Sequence, residues 1–198
     1  YVSSNVPLGP TGYIWPNIDP ALSPGITLTF EMWIRNFSAG PVGEQNVMSF
    51  GSRYWIAILN PETSGARLAF SAAGIDANYG FTYADEGIEK FNVWQHMVLV
   101  VTANGDYNDV YQNKIYINGV DIPLAASSYG GTSPEYVNWS ANYTFCLGFR
   151  SNTGLRQPPG AFSRMGKYDI SMLRIYKGEI TQDQVTQNFN SLRGRYGI

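Results

Sequence analysis

The chain has 198 residues, 44% hydrophobic, 15% aromatic and only 14% charged, which suits one domain with a sizeable core. Thirteen Lys and Arg against 15 Asp and Glu leave a net charge of −2, which gives no electrostatic case for nucleic acid or an anionic membrane as partner, and no apolar run approaches the length of a membrane span. The single cysteine, Cys146, rules out an intrachain disulfide and, within "NYTFCLGF", reads as a small buried hydrophobe.

The chain opens at Tyr1 with neither an initiator Met nor a signal-peptide pattern, as expected of a processed product or of part of a longer polypeptide. Residues 1–25 hold five of the eleven prolines. That stretch is too broken for a helix and is expected to be an extended arm, with Tyr13, Ile14 and Trp15 needing a surface to cover them. One domain is expected from residue 26 to 198. "ITLTFEMWIRNF" alternates, with Leu28, Phe30, Met32 and Ile34 on one strand face and Thr29, Glu31, Trp33 and Arg35 on the other. "NVMSFG", "RYWIAIL", "ARLAFSA", "GFTYAD", "NVWQHMVLVVT", "NKIYING", "YTFCLGF" and "YDISMLRIYKG" follow as further strands, separated by Gly, Asn, Pro and Ser. So many short strands indicate an all-β antiparallel fold, and a two-sheet jelly-roll sandwich resolves the edge-strand problem at this length.

The last stretch, "GEITQDQVTQNFNSLRGRYGI", is helical instead. Thr181 and Gln184 form a capping box, and Ile180 and Val185 a hydrophobic staple. Val185, Phe189 and Leu192 recur on one face. Asp183 suits the first turn, and Gly194 is expected to stop the helix, which spans about Thr181 to Leu192. It is expected to pack on the outside of the sandwich or across one open end.

The ordered series "FEMWIR", "VWQHMVLV", "KIYINGV", "FCLGFR" and the C-terminal block resembles the laminin-G-like, concanavalin-A-like jelly-roll superfamily over roughly Ile26 to Ile198. The resemblance implies the jelly roll, a short helix after the last long strand, and a tail returning toward the N-terminal segment. It fixes fold better than function. Its members include adhesion modules, glycan-binding modules, glycosidase accessory domains and virus-particle proteins. "NFNSLRGRYG" is most similar to standalone versions in virion structural proteins.

Catalytic constellations are scarce. Glycoside hydrolysis needs paired carboxylates, but Glu31 stands alone in its strand, and Asp85, Glu86 and Glu89 surround a Gly in what reads as a solvated turn. His96, the one histidine, lies in the most apolar strand and reads as a hydrogen-bonded structural residue, with no Gly-x-Ser-x-Gly elbow to serve. No zinc set or phosphate loop is present. Asp106, Asn108 and Asp109 in "TANGDYNDVYQN" offer oxygen ligands for calcium. The same letters fit a plain hairpin connection, which is the favoured reading. The sequons at Asn36, Asn138 and Asn142 read as chance occurrences in Asn-rich loops.

The aromatic excess points furthest toward function. "SSYGGTSPEYVNWSANY" carries Tyr129, Tyr136, Trp139 and Tyr143 among Gly, Ser and Asn, a composition suited to stacking on sugar rings or to a protein interface; capping the ends of the sandwich is the bland alternative. Together with Tyr13 and Trp15 these are the candidate contact residues. The sequence therefore leads us to expect a non-enzymatic structural protein of a virion, a capsid decoration protein or tail-fibre module. It would assemble with other subunits and also offer a surface for glycans. A carbohydrate-binding or adhesion module at a cell surface or in the extracellular space is the alternative, and a glycoside hydrolase ranks third. No cofactor is required, calcium being the one candidate.

Overall fold

The computed structural model describes residues 2–3, 14–15, 27–36, 44–50, 54–59, 67–73, 79–84, 92–101, 113–129, 145–148, 150–151, 162–163 and 168–198. The strands are β1 (Val2–Ser3), β2 (Ile14–Trp15), β3 (Leu28–Asn36), β4 (Glu44–Phe50), β5 (Tyr54–Leu59), β6 (Arg67–Ala73), β7 (Tyr79–Ala84) and β8 (Trp94–Val101). They continue as β9 (Lys114–Ile117), β10 (Val120–Ile122), β11 (Leu124–Tyr129), β12 (Phe145–Leu147), β13 (Arg150–Ser151), β14 (Phe162–Ser163) and β15 (Tyr168–Lys177), before the helix α1 (Gln182–Leu192).

One sheet has six strands in the order β1-β15-β3-β8-β9-β10, the other seven in the order β11-β7-β6-β5-β4-β12-β2, and β13 pairs with β14 apart from both. Every pairing is antiparallel. This is the two-sheet jelly-roll sandwich expected from the sequence. The alternation in β3 has the expected consequence: Leu28, Phe30, Met32 and Ile34 are buried with their register partners Met97, Leu99 and Val101 of β8, and Ile115 and Ile117 continue the row in β9. Met48 and Ile56 bring the second sheet into the core. The Tyr168 hydroxyl joins the two sheets, donating to the Val47 carbonyl at 2.9 Å and to that of Asn46, where β4 carries a register shift. Burial pushes its phenol well above the ordinary value, so it remains a donor.

The structure adds detail at the N-terminal stretch and corrects two readings, at Tyr129 and at Gly194. Trp15 is part of a strand, β2, which pairs with Phe145 and Cys146, while Val2 and Ser3 pair with Ile170 and Asp169; both described pieces of the N-terminal stretch thus belong to the chain's own sheets. Tyr129 ends strand β11 rather than lying in a loop. β11 escapes periodicity because "LAASSY" contains little but small residues. Thr181 is the N-cap, with both arms of its capping box formed. Gly194 does not stop the helix: a 3-10 turn over Arg193–Tyr196 follows, and the chain turns at Gly197, whose φ of 76° favours glycine.

Candidate functional site

The outer face of the six-stranded sheet should be solvated in a simple sandwich, and here it is not. Helix α1 lies on it. Val185, wholly buried, packs with Ile180, Val98, Val100 and Tyr116, and half-buried Tyr176 joins this cluster. Burying one such aliphatic side chain contributes about 1.5–3 kcal/mol. The Asn118-Gly119 turn between β9 and β10 sets the helix position. Both residues have positive φ (52° and 82°), as a two-residue hairpin loop requires. Asn118 exchanges two hydrogen bonds with the His96 backbone, at 2.8 and 2.9 Å. The Gly119 carbonyl accepts from Gln182 Nε2 at 2.7 Å, and a Cβ at Gly119 would stand 3.1 Å from the Phe189 ring.

Glu31 lies beneath the helix and is not alone. His96 Nε2 donates to its Oε1 at 2.9 Å. The Tyr176 hydroxyl and Asn188 Nδ2 (3.2 Å) donate to Oε2, and Arg174 Nη1 stands 3.6 Å from the same oxygen. Two strands, β8 and β15, and the helix thus converge on one carboxylate of β3. Burial works to raise the Glu31 carboxyl, but the His96 and Tyr176 hydrogen bonds, with the charges of His96 and Arg174, hold it below the ordinary value. Burial and the bond to Glu31 push the Tyr176 phenol up. The side chains of Glu31 and His96 are each 0% exposed, so no substrate reaches them. The arrangement latches helix to sheet, and His96 is the hydrogen-bonded strand residue expected from the sequence. Sequence reasoning missed the latch because its members are 157 residues apart in the chain at most and only the fold brings them together. The one available signal was a carboxylate on the strand face opposite the core.

Beyond the latch the face becomes aromatic. Trp33 stacks on Tyr196 with centroids 4.0 Å apart and on Phe189 at 6.0 Å, and Trp94 tilts against Tyr196 at 5.2 Å. The Tyr196 hydroxyl meets Ser171 Oγ at 2.9 Å, where β15 shifts register between Ile170 and Met172. Arg35 lies over the Trp94 ring at 5.0 Å and pairs with Asp169 at 2.7 Å.

The contact candidates fall elsewhere. Tyr13, Tyr136, Trp139 and Tyr143 lie outside the described residues, as do Asp106, Asn108 and Asp109. Tyr129 and Trp15 are placed by register at one end of the seven-stranded sheet. Trp15, Phe145, Phe50 and Tyr54 follow one another across β2, β12, β4 and β5. Ala73, Tyr79 and Tyr129 do the same across β6, β7 and β11. The chain leaves this end at Tyr129 and returns to it at Phe145. Sequence reasoning did not assemble Phe50, Tyr54, Tyr79 and Phe145 with these candidates, because only the register shows that they share an end. Among the described residues no three His, Cys, Asp or Glu side chains converge on a metal position, and no helix is long and apolar enough to cross a membrane.

No protein-family model and no curated protein matches the chain. Solved structures do. The receptor-binding domain of botulinum neurotoxin type G superposes with a TM-score of 0.52 at 12% identity, over 83% of this chain and 38% of that one. A structure concerned with the dependence of botulinum neurotoxin type C cell entry upon interaction with two ganglioside molecules gives 0.52 at 18%, over 84% and 36%. A heptameric SAP-like pentraxin from Limulus polyphemus gives 0.51 at 15%, over 87% and 78%. The chain therefore spans under two-fifths of the toxin domains and about four-fifths of the pentraxin. At these identities the likeness is one of fold, in agreement with the concanavalin-A-like jelly roll.

Proposed function

We propose that the chain is a non-catalytic binding module that recognises a glycan through the aromatic segment between β11 and β12. One observation carries this reading. Segment 130–144, with Tyr136, Trp139 and Tyr143 among Gly, Ser and Asn, is tethered at Tyr129 and Phe145 to the sheet end where Trp15, Phe50 and Tyr54 share one register row with Phe145 and Tyr79 shares the adjacent row with Tyr129. Ring faces beside amides and hydroxyls suit the apolar faces and hydroxyl rims of sugars. The type C toxin structure, which involves gangliosides, supports the same reading. So does the sealing of Glu31 and His96, which removes that carboxylate–imidazole pair from catalysis. The fitting location is extracellular or at a cell surface.

A glycan microarray tests the proposal. The wild-type chain should retain at least one glycan, and Trp139→Ala should lose it while melting at the same temperature. Retention unchanged in Trp139→Ala defeats this assignment of the site. An added chelator tests Asp106, Asn108 and Asp109: undiminished retention agrees with a plain hairpin there. The second reading, a virus-particle component, is favoured by the likeness of the C-terminal block to virion modules. Under it, Trp139→Ala cuts incorporation into particles instead, and the contact with a neighbouring subunit buries more than about 1,000 Å² in total.

A further inference from the structure

The two edges of the six-stranded sheet are finished differently. At one, β10 is 3 residues long and Pro123 follows it at once; a short strand and a proline both discourage further pairing. At the other, β1 covers little of β15. Val2 and Ser3 pair with Ile170 and Asp169, and β1 runs antiparallel, so it heads away from residues 171–177. Among the described residues no strand pairs with 171–177 on that side, whereas on the other side β3 pairs through to Lys177. Alternate N–H and C=O groups of this stretch point to the open side, and a strand edge of this kind is a template for another chain. The apolar core row also outruns its cover there. Register puts Leu173 opposite Met32 and Ile175 opposite Phe30, both 0% exposed, yet Ile175 is 37% exposed and Leu173 is half-buried. The same edge is basic. Arg174, 46% exposed, and exposed Lys177 lie on it, and residues 170–178 contain no Asp or Glu. Asp169 and Glu179 on either side are held by Arg35 at 2.7 Å and Lys114 at 2.5 Å. The tail adds exposed Arg193 and Arg195, close to where the Tyr196 hydroxyl meets Ser171.

We propose that residues 171–177 of β15 accept an added strand from another protein, an extended segment that carries apolar and acidic side chains at matched positions. Apolar residues opposite Leu173 and Ile175 continue the core row, and acidic residues opposite Arg174 and Lys177 meet the two cations. Main-chain pairing supplies the affinity and the side chains select the partner. Charge decides against a second copy of this chain as the occupant. Pairing two β15 edges gathers Arg174 and Lys177 of both copies along one seam, and like charges across a strand pair are destabilising. The edge is thus guarded against itself and open to an acidic strand. The proposal concerns a different sheet from segment 130–144 and does not depend on the glycan reading.

Hydrogen exchange of the whole chain, read by mass spectrometry, tests the proposal. The probe is the end-blocked peptide Glu-Thr-Val-Glu-Val-Thr, which places its glutamates opposite Lys177 and Arg174 and its valines opposite Ile175 and Leu173 when it pairs antiparallel. In large excess it should slow exchange within residues 172–177 about tenfold. The same peptide N-methylated at alternate amides, in either phase, should lose most of that effect in one phase, because the pairing N–H groups are gone. A version with lysines in place of both glutamates should slow exchange far less. Lys177→Glu, an exposed change at the strand end, should weaken the glutamate peptide about fivefold and bring the lysine peptide closer to it. No slowing by the glutamate peptide, or equal slowing by the lysine peptide, overturns the proposal. Slowing at 172–177 that rises with protein concentration in the absence of peptide also overturns it and gives the edge to a second copy.

Discussion

The outer face of the six-stranded sheet and the end of the seven-stranded sheet use the same residue types for different ends. On the outer face, a carboxylate, an imidazole, a phenol and an amide satisfy one another under α1, and two rings, Phe189 and Tyr196, pack over Trp33 and His96. At the sheet end, Trp15, Phe50, Tyr54, Tyr79, Tyr129 and Phe145 collect in neighbouring register positions around the departure and return of a Gly/Ser/Asn-rich segment. The first region is closed chemistry, which holds a helix. The second concentrates aromatic residues where the chain leaves and re-enters the sheet. The difference teaches that a buried polar cluster is not a site merely because its groups are those of one; access decides.

Substitutions that break the closed region should affect stability and spare binding. The largest effect is expected for Glu31→Ala, which leaves His96, Tyr176, Asn188 and Arg174 converging on nothing. Breaking a buried charged network costs about 3–5 kcal/mol, readable by urea denaturation, and Glu31→Gln should cost less. The pH dependence follows from the lowered Glu31 carboxyl. Its contribution is complete above the unfolded value of about 4.3 and is lost as pH falls through the folded one. The stability gap between wild type and Glu31→Gln should therefore shrink in acid. Phe189→Ala comes next, at about 2–3 kcal/mol, since the ring packs on Trp33 and His96; exposed Gln187→Ala should stay within about 0.5 kcal/mol. Thr181→Ala, which removes one arm of the capping box, should cost about 1 kcal/mol. Equal losses from Phe189→Ala and Gln187→Ala would mean that the helix is held by another face.

Much of the fold was legible because its signals are local. Alternation in β3 marked the core face, and the capping box and the Val185–Phe189 spacing marked α1. The Gly119 turn was visible as Asn-Gly, though not its role as a seat for Gln182 and Phe189, which depends on the helix coming back over β9 and β10. The short strands β1, β2, β10 and β11 were not legible. Two or three residues carry no period, and "LAASSY" has no apolar stripe. At the candidate site the sequence supplied Tyr129 and Trp15 but not their neighbours, because Phe50, Tyr54, Tyr79 and Phe145 read as ordinary strand residues until pairing put them in register. The covered outer face was missed for a similar reason: Thr29, Glu31, Trp33 and Arg35 form the polar half of an alternating strand, a pattern that normally means solvent.

The most direct test of this division is a calorimetric titration of the tightest-retained glycan into the wild type, Trp139→Ala and a folded Glu31→Gln. An aromatic anchor at a binding site is worth about 2 kcal/mol or more, about a 30-fold change in Kd. The account predicts that weakening for Trp139→Ala with an unchanged melting temperature, and for Glu31→Gln a lowered melting temperature with an unchanged Kd. A Kd that follows Glu31 and ignores Trp139 would contradict it.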